Sequence, residues 1–136
     1  MTRVRVLVAE DNAEVARQLR RLLSDEFDVV GMVMDGASLL RMARVEAPDV
    51  LVTDISMPGI DGLQAAETLA REGAACRFVF ITVHNDPCLV ARAAQLGSCG
   101  YVLKSGAGDE LVPAVLAVLA GQAFVSPVLQ RAQAPG

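Results

Sequence analysis

Four short apolar runs in this chain each end on a side chain that can do chemistry. Val4 to Ala9 runs into Glu10-Asp11, Val50 to Thr53 into Asp54, Arg77 to Ile81 into Thr82, and Gly100 to Leu103 into Lys104. Three carboxylates gathered in one cleft would repel, at about 4 kcal/mol for each like-charged pair ~4 Å apart in an effective dielectric near 20. Such a cluster stays ionised beside a divalent cation, or it raises its own pKa values. Oxygen donors alone, on an open loop, suit Mg²⁺, which keeps waters and shares carboxylates with a phosphoryl group. An aspartate can also act as a covalent nucleophile toward phosphorus. Phosphoryl transfer needs mainly positioning and neutralised equatorial oxygens. An ion on Asp11 and Asp54 would take one oxygen, the Lys104 ammonium a second and the Thr82 hydroxyl a third. If the Thr82 bond forms only with phosphate present, it draws in the loop Val83-His84-Asn85 and gives the chemistry a mechanical output.

The elements that must carry these groups are readable. A strand over Val4 to Ala9 is followed by a helix capped by Asn12, with Val15, Leu19, Leu22 and Leu23 at helical spacing. A second strand begins at Phe27, and a helix from Gly36 to Val45 is stopped by Pro48. The third strand leads to Asp54. After the loop S-M-P-G-I-D-G, a helix built on Leu63, Ala66 and Leu69 closes near Gly73. Strand four ends at Thr82, and Asp86-Pro87 opens a helix that closes at Gly97. Strand five is Gly100 to Lys104, and a last helix spans about Gly108 to Ala120, with Gly121 as its stop. Five alternating strand–helix units, with strands that are nearly continuous apolar runs, predict a doubly wound parallel sheet covered on both faces. In the order 2-1-3-4-5, the ends of strands one, three, four and five lie side by side, and ligands sit beyond the carboxyl ends of such strands.

Composition narrows the function classes. The 136 residues suit one domain, 53% are hydrophobic, and net charge is −4. Mean hydropathy is +0.42 and the pI about 4.9. No apolar run approaches the ~20 residues of a membrane span, and no basic stripe is present to grip a phosphate backbone. Cys76, Cys88 and Cys99 have no zinc-motif spacing. Met1-Thr-Arg-Val-Arg leads straight into a strand rather than a signal segment. A cytoplasmic protein with reduced thiols is expected, two of them filling core.

Glu10-Asp11, D-I-S-M-P-G-I-D-G at 54–62, Thr82 and G-Y-V-L-K at 100–104 occur in order over nearly the whole chain. This pattern resembles the CheY-like receiver domain of bacterial two-component response regulators, with its flavodoxin-like (βα)5 fold. The resemblance implies that Asp54 accepts phosphate from a sensor histidine kinase. It implies that Asp11, Asp54 and the Ser56 carbonyl bind Mg²⁺, with Glu10 assisting through water, and that Lys104 contacts the phosphoryl group. Thr82 and Tyr101 would be the switch pair, and Ser56 and His84 would tune dephosphorylation. The stretch from Gly100 to Pro127, with A-G-Q-A-F-V-S-P, is similar to the NarL/LuxR subgroup, whose members bind promoters through a C-terminal helix-turn-helix domain. Ser105, where receivers commonly carry proline, agrees with that subgroup. On this basis residues 1–121 form the receiver, and residues 122–136 start a linker to an output domain absent from this chain. DNA would be met only through that domain. The protein would phosphorylate and dephosphorylate itself without being a turnover enzyme.

Plainer readings stand beside these. Asp61-Gly62 reads as turn chemistry rather than a ligand. Tyr101 could be ordinary packing, and His84, the only histidine, a loop residue at the lip of the cleft. Leu111 to Val125 carries no charge, which fits either an alanine-rich helix or a face for a homodimer or an output domain. Pro113 should bend that helix or delay its start. Three other functions use parts of the same pattern. One is a stand-alone receiver acting through protein contacts. A flavodoxin-like carrier would have to cradle FMN where Glu10-Asp11-Asn12 repels phosphate. An aspartate-nucleophile phosphohydrolase would need a second acid where Ile55 and Ser56 stand.

Overall fold

The computed structural model describes residues 3–129. Five strands, β1 (Arg5–Ala9), β2 (Asp28–Val33), β3 (Val50–Asp54), β4 (Arg77–Thr82) and β5 (Gly100–Leu103), alternate with five helices. The helices are α1 (Ala13–Ser24), α2 (Gly36–Glu46), α3 (Gly62–Arg71), α4 (Pro87–Ala94) and α5 (Ala107–Leu119). All strand pairs are parallel, and the order is β2-β1-β3-β4-β5 with one further strand, β6 (Phe124–Val125), beyond β5.

The sixth strand corrects the expected five. Gly100 pairs with Phe124 and Tyr101 with Val125, and Leu129 beyond them is 1% exposed. From Phe124 to Leu129 the chain therefore returns to the sheet edge rather than leaving the fold after residue 121. The cause is local: β5 would otherwise present unpaired N–H and C=O groups along its outer edge. Gln130 to Gly136, assigned to the same linker, lie outside the described residues.

Each strand buries alternate residues on opposite faces. Val6, Val8, Val50, Val52, Val79 and Ile81 face a core closed by Leu19 and Leu23 of α1 and Leu111, Val115 and Val118 of α5. Leu7, Leu51, Phe78 and Phe80 face the core under α2, α3 and α4. Cys76 and Cys99 are buried, whereas Cys88 is exposed.

Side-chain caps set where four helices begin. Asn12 Oδ1 accepts from the N–H of Glu14 and Val15, and Asp35 Oδ1 from Ser38 N–H at 2.8 Å. Asp61 and Gln64 form a reciprocal capping box. Asp86 caps α4, with Pro87 in its first turn. Helix α5 instead follows a single 3-10 turn, Lys104–Gly106. Pro113 does not delay it, since the helix starts at Ala107. Pro113 lies on the exposed side and has no N–H to donate to the Asp109 carbonyl one turn back. Among the described residues no helix is long and apolar enough to cross a membrane.

Candidate functional site

The carboxyl ends of β1, β3 and β5 converge as the topology requires. Lys104 Nζ, just past β5, lies 2.8 Å from Asp54 Oδ2 and 3.1 Å from Glu10 Oε1. Glu10, Asp11 and Asp54 each offer a carboxylate oxygen within 4.8 Å of the others. Asp11 is exposed at the start of the β1–α1 loop, Asp54 is 5% exposed, and Glu10 is 0% exposed. Asp54 Oδ1 also accepts from the Ser56 N–H at 3.2 Å.

Burial raises the Glu10 pKa above the usual carboxylate range. The Lys104 hydrogen bond pulls it back, and the Asp54 charge pushes it up again. Burial acts oppositely on Lys104, but hydrogen bonds to Asp54 and Glu10 outweigh it and leave the ammonium's pKa raised. Lys104 is thus a firmly charged cation between two acids.

One atom of the cluster is unmatched. Glu10 Oε2 is buried without a hydrogen-bond partner, a costly arrangement for a carboxylate. An unsatisfied buried oxygen facing two further carboxylates fits a hard divalent cation. Glu10, Asp11 and Asp54 could hold Mg²⁺.

Thr82 ends β4 on the rung after Ile81, which pairs with Asp54. It is fully buried, and its Oγ1 already accepts from the His84 N–H at 3.0 Å. The hydroxyl therefore shapes the β4–α4 loop. Tyr101 is 1% exposed on β5, with its hydroxyl directed at the His84 carbonyl. Ser56 and His84 stand on opposite lips and meet, Oγ to Nε2, at 3.1 Å. Asp61 is outside the carboxylate cluster and serves as the α3 cap.

Gly62 is a contributor that the sequence pattern leaves as turn chemistry. A Cβ there would lie 2.0 Å from the Asp54 carbonyl oxygen and 2.7 Å from Thr53 Oγ1. Its N–H donates to the Ile55 carbonyl at 2.8 Å. The missing side chain lets the loop fold back onto the end of β3. The Asp-Gly pair was the available signal, but only the fold shows what lies against it.

The family model described as the response regulator receiver domain matches residues 6–116. Response regulator UvrY of Escherichia coli K12 is 36% identical over 125 residues, covering 90% of this chain and 57% of UvrY. Response regulator GacA of Pseudomonas aeruginosa is 35% identical over 130 residues, covering 94% of this chain and 61% of GacA. The chain thus spans less than two thirds of these relatives. Among solved structures, the signal receiver domain of NarL from Mycobacterium tuberculosis superposes with a TM-score of 0.84 at 35% identity, covering 90% of this chain and 100% of that one. The isolated receiver domain of RcsB from Salmonella enterica, in the presence of the phosphomimetic BeF₃⁻, gives 0.87 at 28% identity, covering 96% and 98%.

Proposed function

The chain belongs to the response regulator receiver family, and we propose that it is a phosphorylation-dependent switch with Asp54 as the acceptor. The observation that carries this reading is the Asp54 carboxylate, held between Lys104 Nζ and the Ser56 N–H beside a buried, half-satisfied Glu10. An Asp54 oxygen attacks phosphorus of a phosphohistidine on a sensor kinase; the P–O bond forms as the P–N bond breaks. Lys104 moves from carboxylate partner to phosphoryl partner and neutralises one oxygen. Asp11, Asp54 and the Ser56 carbonyl, with Glu10 beside them, would hold Mg²⁺, which would supply charge neutralisation when bound.

The Thr82 hydroxyl turns to the phosphoryl group, and Tyr101 follows the loop that both residues hold. Ser56 and His84 close the mouth and govern how readily water reaches the acyl phosphate. The phosphate is gained and lost on the protein itself, without turnover of an external substrate. The likeness to NarL of Mycobacterium tuberculosis, a probable transcriptional regulatory protein, supports a transcriptional output through a DNA-binding segment beyond the described residues, and RcsB has been solved in complex with DNA. The surface of α5 from Leu111 onward carries no charge and leaves Leu116 49% exposed; it would serve a homodimer in that setting.

Acetyl phosphate and Mg²⁺, followed by intact mass, test the acceptor. Wild type should gain one phosphoryl group and Asp54→Ala none. Labelling of Asp54→Ala at the wild-type rate overturns the assignment.

A further inference from the structure

One buried side chain holds β5 from the edge opposite β4. Ser126, the residue after β6, is 1% exposed. Its N–H donates to the Tyr101 carbonyl at 2.9 Å. Its hydroxyl accepts from the Leu103 N–H at 3.0 Å and donates to the carboxylate of Glu110 in the first turn of α5. The direction is forced: a peptide N–H only donates, so the single hydroxyl proton must go to the carboxylate. In the parallel ladder the Leu103 N–H would next meet a backbone carbonyl, and here a side chain takes that place.

These contacts fall on the residues that frame the cleft. Tyr101 and Leu103 flank Val102, and the next residue is Lys104, whose own carbonyl accepts from the Ala107 N–H. Gly106 makes room for the brace. A Cβ there would lie 2.3 Å from Glu110 Oε2 and 2.9 Å from its Cδ, although the φ of −105° is open to any residue. A side chain at position 106 would push the Glu110 carboxylate aside, so glycine leaves the brace in place.

We propose that Ser126, braced by Glu110 in the room left by Gly106, is a positioning residue that fixes the end of β5 from which Lys104 reaches Asp54. It rests on the reading of Lys104 as the phosphoryl partner. Without the hydroxyl, the Leu103 N–H and the Glu110 carboxylate both lose a partner, and the strand end is free to shift.

The test is the rate of phosphoryl uptake from acetyl phosphate and Mg²⁺ by the 136-residue chain, read by intact mass, with far-ultraviolet circular dichroism to confirm folding. Ser126→Ala and Gly106→Ala should each label about ten-fold more slowly, well inside what a 1 Å misplacement can do. Lys104→Ala should also be slow, and adding Ser126→Ala to it should change nothing further, because both substitutions remove the same contact. A purely structural role predicts the same added loss in both backgrounds. If Ser126→Ala does not fold, Gly106→Ala displaces the brace while leaving Ser126 in place and carries the same comparison. Labelling at the wild-type rate in the folded variants, or an equal slowing in both backgrounds, overturns the proposal. Wild-type labelling by Lys104→Ala would instead remove the Lys104 role on which it rests.

Discussion

Tyr101 donates its hydroxyl to the His84 carbonyl across 3.4 Å, while the His84 N–H donates to Thr82 Oγ1 at 3.0 Å. The two ends of one residue's backbone are thus held by the two side chains expected to form a switch. Neither can leave without loosening the loop between β4 and α4. The coupling passes through hydrogen bonds of His84's main chain, so it does not depend on that residue's imidazole.

The buried phenol is directly measurable. Burial, with the Asp86 carboxylate adding to it, pushes the Tyr101 pKa up to about 12. As the only tyrosine, it alone produces the phenolate absorbance. The native protein should titrate near that value and the urea-unfolded chain near ~10. The neutral phenol favours the folded state, so this contribution is whole below about pH 10 and is lost as pH rises through the folded value. A native midpoint near 10 would place the ring outside the core.

Lys104→Ala should uncover the demand for a cation. It leaves Glu10, which is 0% exposed, beside Asp54 with no ammonium between them. Breaking a buried pair typically costs about 3–5 kcal/mol, and the partial exposure of Lys104 brings the expectation to roughly 2–3. Millimolar Mg²⁺ should restore much of the lost thermal stability in the variant and raise wild type less, since the ion and the lysine neutralise the same oxygens. Equal Mg²⁺ shifts in both proteins would show that the ion and Lys104 do not neutralise the same oxygens.

The fold was largely legible because parallel strands buried on both faces read as apolar runs, as in Val50 to Val52 and Phe78 to Ile81. Asn12 and Asp86 mark helix starts through local chemistry, whereas the caps formed by Asp35 and Asp61 emerge only in the fold. Phe124–Val125 is not legible because two residues between Gly121 and Pro127 show no period, and their pairing depends on the open edge of β5. Glu10, Asp11, Asp54 and Lys104 could be brought together from topology alone, since strand order dictates which ends meet. Gly62, Gly106 and Ser126 could not. What they do depends on how closely a carbonyl, a carboxylate or a strand edge approaches, which no spacing along the chain encodes.

Gly62→Ala should damage both stability and chemistry. The added carbon would fall 2.0 Å from the Asp54 carbonyl oxygen, and backbone cannot move aside as a flexible side chain can. A loss of about 2–3 kcal/mol is expected, at the upper end of what overpacking costs. The folded fraction should also label more slowly with acetyl phosphate, because the end of β3 must shift. Urea denaturation and intact mass on the same sample separate the two effects. A variant as stable as wild type would mean the loop is free to move away.

The Arg92–Glu67 pair ties α4 to α3, with Nε to Oε2 at 2.8 Å and Nη2 to Oε1 at 2.5 Å. The Arg92 hydrogen bond holds the Glu67 carboxyl below its ordinary range against a smaller opposing effect of burial. The charged form therefore favours the folded state. Its contribution is present above the unfolded carboxylate pKa of ~4.3 and fades as pH falls through the lower folded value. Both side chains keep about a third of their surface in water, so Glu67→Gln should cost under about 1 kcal/mol at pH 7. The difference from wild type should shrink in 1 M salt, where screening acts within ~3 Å, and again in acid as wild-type Glu67 takes up a proton. Denaturant midpoints of the two proteins across pH 3 to 7 provide the check. A gap that stays constant with pH and salt would assign the loss to side-chain packing between α3 and α4 rather than to charge.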